Sequence, residues 1–289
     1  MGVSAIPVRR PWRQPLRTRL LLAVGENLCR ARRAARGISA AGVRRWHERI
    51  ALPKSLGHQN RLRVAFASDL HAGRMTPTGT ISAAFDALLE AKPDLILLGG
   101  DFVCSQAEEL EAILPALRRL RAPAGVFAVM GNHDHGADAG TITAQLEACG
   151  VGVLRNRATA LADPFQNVLL VGLDDHQGGR PCAAAARWDP ACATLLLIHQ
   201  PSGLLDAADR PFDVALAGHT HGGQITLPGG LAPVAASGAL SRRDRAGRYQ
   251  LAPHQVLCVS MGVGNSLLPL RLGTSTEVLI LDLEGREGG

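Results

Sequence analysis

Short apolar runs of strand length recur eight times: RVAFAS (63–68), DLILLGG (94–100), GVFAVMG (125–131), NVLLVGL (167–173), TLLLIH (194–199), DVALAG (213–218), QVLCVSM (255–261) and EVLILDL (277–283). Three segments between the early runs, TISAAFDALLEA, AEELEAILPALRRLR and TITAQLEAC, have helical periodicity. Strands alternating with helices predict an α/β architecture. Turns rather than helices separate the later runs, which predicts mixed sheet. With 289 residues the chain is long enough for one large domain with a full core.

These runs do not end on packing residues. Asp69 and His71 follow the first and Asp101 the second. Asn132, His133 and Asp134 follow the third, His199 ends the fifth, and His219 and His221 end the sixth. In α/β sheets, ligand-binding groups gather at the carboxyl ends of strands. Polar groups left half-buried there without partners would be costly. The set offers seven nitrogen and oxygen ligands: Asp69, His71, Asp101, Asn132, His199, His219 and His221. One zinc needs three or four. Seven suit two divalent ions about 3.5–4 Å apart sharing one carboxylate, and Asp101 has two oxygens to share. Without thiolate, the donor set suits Mn, Fe, Zn or Co. Gly99, Gly100, Gly131, Gly218, Gly222 and Gly223 flank these residues, where the backbone must turn sharply.

The blocks Asp69-Leu70-His71, Gly100-Asp101, Gly131-Asn132-His133-Asp134, His199 and Gly218-His219-Thr220-His221 stand in the order D-x-H, G-D, G-N-H-D/E, H, G-H-x-H. In this the chain resembles the calcineurin-like metallophosphoesterase superfamily over roughly residues 60–285. GLDDH, GHTHGGQI and VSMGVGNSLLPLRLG resemble its bacterial branch whose members often carry an N-terminal membrane segment. The resemblance implies a four-layer α-β-β-α sandwich of two mixed sheets. It assigns Asp69, His71, Asp101 and His221 to one metal, and Asp101, Asn132, His199 and His219 to the other. A hydroxide bridging the metals would attack phosphorus in line. His133 would stabilise charge on the phosphoryl oxygens and protonate the leaving alkoxide, with Asp134 orienting it. Asn265 and Arg271 become candidate substrate contacts, with an ordinary ion pair the competing reading for Arg271. His58, His135, His176 and His254 read as packed or solvated rather than as ligands.

Residues 1–63 carry 15 Lys/Arg and two acids, Glu26 and Glu48, so the remainder of the chain is acidic although the whole is +6. Residues 1–60 therefore read as a basic arm on a catalytic domain of residues 61–285. Leu20, Val24, Leu28, Ala31, Ala35 and Ile38 share one helical face, and Arg19, Arg30, Arg32, Arg33 and Arg36 share the other. That predicts an amphipathic helix within residues 12–50, suited to an anionic membrane surface or to packing on the body. No apolar run reaches the roughly 20 residues of a membrane span. Arg9-Arg10 precede LLLAV, but the run is short and no small-residue cleavage site follows, which argues against twin-arginine export. The expected location is cytoplasmic, peripheral on the inner membrane. Six scattered cysteines with no CxxC behave as small apolar residues.

The predicted activity is dimetal-dependent hydrolysis of a phosphodiester or pyrophosphate bond, on a membrane-associated substrate. Among relatives implied by the resemblance are UDP-2,3-diacylglucosamine pyrophosphatases of lipid A synthesis and nucleases. The acidic body, one Tyr and six Phe count against nucleic acid. A non-catalytic metal-binding scaffold is the reading from a different class. It does not explain why a complete ligand set and His133 occur together.

Overall fold

The computed structural model describes residues 42–228, 231–232, 240 and 245–286. Two six-stranded mixed sheets form its body. The first runs β1 (Arg44–Ala51), β12 (Glu277–Glu284), β2 (Arg61–Ala67), β3 (Leu95–Leu98), β4 (Val126–Ala128), β5 (Gly152–Val153). The second runs β10 (Gly247–Ala252), β11 (Gln255–Val259), β9 (Val214–Ala217), β8 (Ala193–Leu197), β7 (Val168–Gly172), β6 (Arg157–Ala160). β2 to β5 are mutually parallel, and so are β7, β8, β9 and β11. β12 runs antiparallel to β2, while β6 and β10 are antiparallel edge strands. All eight apolar runs are strands.

The central strands are buried on both faces, so their alternation sorts residues between layers. Val64, Phe66, Leu95, Leu97, Leu279 and Leu281 meet Leu170, Leu195, Leu197, Val214 and Leu216 between the sheets. Ala65, Ala67, Ile96, Leu98 and Ile280 face α1 (Thr78–Glu90), which buries Ile81, Ala84, Phe85 and Leu88 at helical spacing. Full burial of a side chain such as Phe66 or Phe85 stabilises by roughly 1.5–3 kcal/mol. The outer layer over the second sheet is made of short 3-10 turns, Ala183–Ala185 and Pro201–Leu205, around Ala207 and Phe212.

Two local expectations change. AEELEAILPALRRLR is not one helix. It is a 3-10 helix, Ala107–Ile113, followed by a single turn, α2 (Leu114–Leu117). Pro115 sits in the first turn of α2, where its missing N–H is tolerated, and it cannot continue a helix begun earlier. Part of the segment read as the arm also belongs to the first sheet. Arg44–Ala51 is an edge strand paired in parallel with β12. Trp46 and Ile50 turn to the inter-sheet core, while Arg45, His47 and Arg49 stay exposed, which is the period of a strand and not of a helix. The amphipathic helix placed on residues 20–38 lies outside the described residues. Among the described residues no helix is long and apolar enough to cross a membrane.

Candidate metal centre

Every ligand-type side chain sits on a loop just past a strand. Asp69 and His71 follow β2, Asp101 follows β3, and Asn132 opens α3 (Asn132–Ala137) after β4. His199 follows β8, and His219 and His221 follow β9. The first sheet thus supplies four of the seven and the second sheet three.

Five of these residues have left-handed backbone: Asp69 (φ 56°), His71 (43°), Asp101 (53°), His219 (70°) and His221 (51°). A non-glycine residue there costs on the order of 1–3 kcal/mol, so surrounding bonds must hold it. Asp69 N–H donates to Gly100 O (2.9 Å), and His71 N–H donates to Asp101 O (2.9 Å). His219 N–H donates to both Asp69 carboxylate oxygens (3.0 and 2.9 Å). Close approach also explains two glycines. A Cβ on Gly131 would lie 2.5 Å from Asp101 N, and one on Gly218 would overlap Ser68 and the Asp69 carboxylate.

The side chains converge in three groups, Asp69/His71/His221, His71/Asp101/His133 and Asp101/His199/His219, each with ligand atoms within 4.8 Å of one another. Asp101 Oδ2 lies 3.6 Å from His71 Nε2 and 3.3 Å from His199 Nε2, so one carboxylate touches both ends of the cluster. His221 Nε2 is 3.0 Å from His71 Nε2 and 3.5 Å from Asp69 Oδ1. His199 Nε2 is 3.2 Å from both His219 Nδ1 and Asn132 Oδ1.

The donor set fits divalent cations. His199 Nδ1 lies 2.8 Å from Gly99 O, so that nitrogen donates, and Nε2 faces the oxygens of Asn132 and Asp101. Burial, then His133, pushes His71 down to about 3. Burial, then His71 and Arg271, pushes His221 well below the usual range. Burial alone would raise Asp101, but His199, His133 and His71 hold it well below the usual carboxylate range. Burial raises Asp69 to about 6. His199 goes the other way: burial disfavours its charge, yet Asp101 and Asp69 drive it well above the usual value. An ionised Asp101 beside neutral His71 and His221 is the protonation state that metal binding requires, and His199 must give up its proton to bind.

His133 is half-buried and meets His71 edge-on, with ring centroids 4.7 Å apart. Its Nδ1 lies 2.6 Å from Cys104 O, which makes Nδ1 the donor and leaves Nε2 for chemistry. Asp134 does not orient it, contrary to the sequence-based expectation. The Asp134 carboxylate is fully buried and accepts from the backbone N–H groups of Asp101, Phe102, Val103 and Gly131.

The two substrate candidates are also committed elsewhere. Arg271 turns inward, donating to the carbonyls of Gly264, Ser275 and His221, with an N–H 3.2 Å from His221 Nδ1. Burial lowers it to about 10. It braces the 264–275 loop on His221. Asn265 donates its side-chain N–H to Met75 O and its backbone N–H to Thr76 Oγ1. Sequence reasoning missed Gln224, whose side chain donates to Leu268 O and Leu270 O and accepts from Ser266 N–H. Its place directly after Gly222-Gly223 was the available signal. His135 Nε2 lies 2.7 Å from Asp174 Oδ1.

Fold and site together define a metal-dependent phosphoesterase. The chain belongs to the calcineurin-like phosphoesterase family, whose profile matches residues 62–223. Members work with two divalent ions, and the clusters around Asp101 provide for both. The chain is 36% identical over 228 residues to phosphodiesterase YaeI of Escherichia coli (strain K12), covering 76% of this chain and 82% of that one. It is 32% identical over 224 residues to an uncharacterized metallophosphoesterase, YkuE of Bacillus subtilis (strain 168), covering 75% and 77%. UDP-2,3-diacylglucosamine pyrophosphatase LpxG of Chlamydia trachomatis is 27% identical over 228 residues, covering 61% and 68%.

Proposed function

We propose that the chain hydrolyses a phosphodiester or pyrophosphate bond of a substrate held at an anionic membrane surface. The observation that carries the catalytic part is the Asp101 carboxylate shared between the two ends of the cluster. Asp69, His71, Asp101 and His221 would hold one ion, and Asp101, Asn132, His199 and His219 the other. Bound there, the ions supply Lewis acidity toward the phosphoryl group and a water activated at neutral pH. His133, with Nδ1–H fixed on Cys104 O, keeps Nε2 available to donate a proton to the leaving alkoxide. The buried walls exclude bulk water and strengthen each of these interactions.

Two observations favour a membrane-held substrate, including the lipid-linked diphosphate that the name of the LpxG relative describes. Leu227, Leu231, Leu270 and Leu272 are 37%, 64%, 44% and 51% exposed. Their loops are joined to each other through Thr226 N–H to Leu272 O, and to the cluster through Arg271 and His221. The second observation is topological. Arg44 opens β1 opposite Glu277, and β12 begins there beside the carboxyl end of β2. Residues 1–41, with nine arginines and one acid, therefore join the body at the metal-cluster end. Exposed leucines suit an acyl region, and a sequence rich in arginine suits anionic headgroups.

The test is hydrolysis of bis(p-nitrophenyl) phosphate by Mn-loaded protein with a chelated control, alongside flotation with phosphatidylglycerol vesicles. Chelator-sensitive turnover and vesicle binding weakened by salt are expected. Two bound ions without turnover on any ester would overturn the catalytic part. Turnover without vesicle binding would remove the membrane clause.

A further inference from the structure

The loops after β3 and β4 are tied by two carboxylates that cross. Asp134, from the second loop, takes the N–H groups of Asp101 (2.9 Å), Phe102 (2.8 Å) and Val103 (3.3 Å) in the first, with Gly131 N–H (2.9 Å) beside them. Asp101, from the first, takes His133 N–H in the second through Oδ1 (2.8 Å). That leaves Asp101 Oδ2 as the oxygen nearest His71 and His199. Gly100 and Gly131 let the two backbones touch, since a Cβ on Gly100 would fall 2.6 Å from Gly131 N.

Asp101 is one of the residues that need such support. Its φ of 53° is one that an L-residue rarely keeps unaided. A run of three successive N–H groups from 101 to 103 pointing at one carboxylate fixes that loop in its turned shape. Asp134 is itself fully buried, and its carboxylate oxygens accept from these four backbone N–H groups. We infer that Asp134 is a positioning residue, holding Asp101 in the left-handed conformation that turns its free oxygen to both metal positions. This rests on the dimetal reading above. Asp134 acts on where the shared ligand stands and not on the proton of His133.

Asp134→Asn tests this. The amide is isosteric, but its NH₂ must face N–H groups that now point at an oxygen, whichever way it is turned. Metal content and Mn affinity are measured on the intact chain by equilibrium dialysis, with Mn-dependent hydrolysis of bis(p-nitrophenyl) phosphate in parallel. The Mn concentration for half-maximal activity should rise about 10- to 100-fold, with KM at saturating Mn unchanged. The rise in Tm that Mn gives the wild type should shrink. Equal loss of Tm with and without Mn, at unchanged Mn affinity, would make Asp134 a structural residue only and overturn the inference. Hydrogen exchange on the wild type does not depend on the variant folding. Amides 101–103 should exchange as slowly as those of β3, and exchange at the rate of an open loop would overturn the inference. A wild type that takes up no Mn would end the dimetal reading itself, an outcome distinct from a wild type and variant that bind two ions alike.

Discussion

Replacing Gly131 by alanine separates space from conformation at the metal centre. Gly131 has φ −105° and ψ 177°, an ordinary extended conformation for any L-residue. Alanine would therefore suffer no backbone strain, and through the unfolded chain it would stabilise by about 0.4–1 kcal/mol. The space forbids it. The new Cβ would lie 2.5 Å from Asp101 N and 2.8 Å from its Cγ, where ordinary contact begins at 3.4 Å. Both atoms belong to a hydrogen-bonded turn, so relief requires the Asp101 loop to move by on the order of 1 Å, a displacement that lowers rates about 100-fold when it misplaces a reacting group. Overpacking costs about 1–3 kcal/mol. The net expectation is a loss of about 1–2 kcal/mol, read as a Tm lower by about 2–8 °C. Gly136 is the internal control: it lies in α3 with nothing within 4 Å of its would-be Cβ, so Gly136→Ala should gain about 0.4–1 kcal/mol. Thermal melts, metal content and bis(p-nitrophenyl) phosphate hydrolysis of the two variants decide the matter. A Gly131→Ala protein as stable as Gly136→Ala and as active as the wild type would refute the geometry.

His133→Asn should keep both ions by elemental analysis and lose about 10²- to 10⁴-fold in turnover, whereas loss of the ions would make His133 a ligand. Asp282 joins Arg63 (2.8 Å) and Arg61 (2.9 Å), and chiefly the Arg63 hydrogen bond lowers its carboxyl from 3.8 to about 2. A depressed carboxyl stabilises the fold above 3.8 and loses that stabilisation as pH falls toward 2. With these arginines partly exposed, Asp282→Asn should cost about 1 kcal/mol at pH 7 and only a small fraction of that at pH 2, where the folded-state carboxyl is half protonated. A denaturant-unfolding difference that persists undiminished at pH 2 counts against the ion-pair account. Burial pushes the Cys258 thiol up to about 12, so a thiol reagent should label exposed Cys182 in the native protein and Cys258 only after unfolding. Native labelling of Cys258 would contradict the packing of β11.

The strands were legible because burial on both faces demands unbroken apolar runs. The edge strands were not. β1 reads RRWHERIA, β6 reads RATA and β10 reads GRYQLA, each with polar residues toward solvent and too little apolar content to stand out. The convergence of these side chains was legible because imidazoles and carboxylates have no packing reason to end strands. What each polar side chain bonds to was not. Asp134 beside His133 suggested a pair, but at the third position of a helix its carboxylate reaches back to the backbone before it and across to the neighbouring loop. The charge of Arg271 was visible in the sequence, and the carbonyls to which it donates were not.

The division of the cluster between the sheets has a mechanical consequence. Asp69, His71, Asp101 and Asn132 stand on one sheet, and His199, His219 and His221 on the other, each sheet with its own outer layer. Ions bound by both sets would rivet the seam at one end, while the apolar core between the sheets glues the rest. Loading the rivet should make the halves melt as a single cooperative unit. Stripping it should let the catalytic end gape first, with the inter-sheet leucines still closed behind it. Metal supply would then govern how the protein unfolds as well as how fast it works.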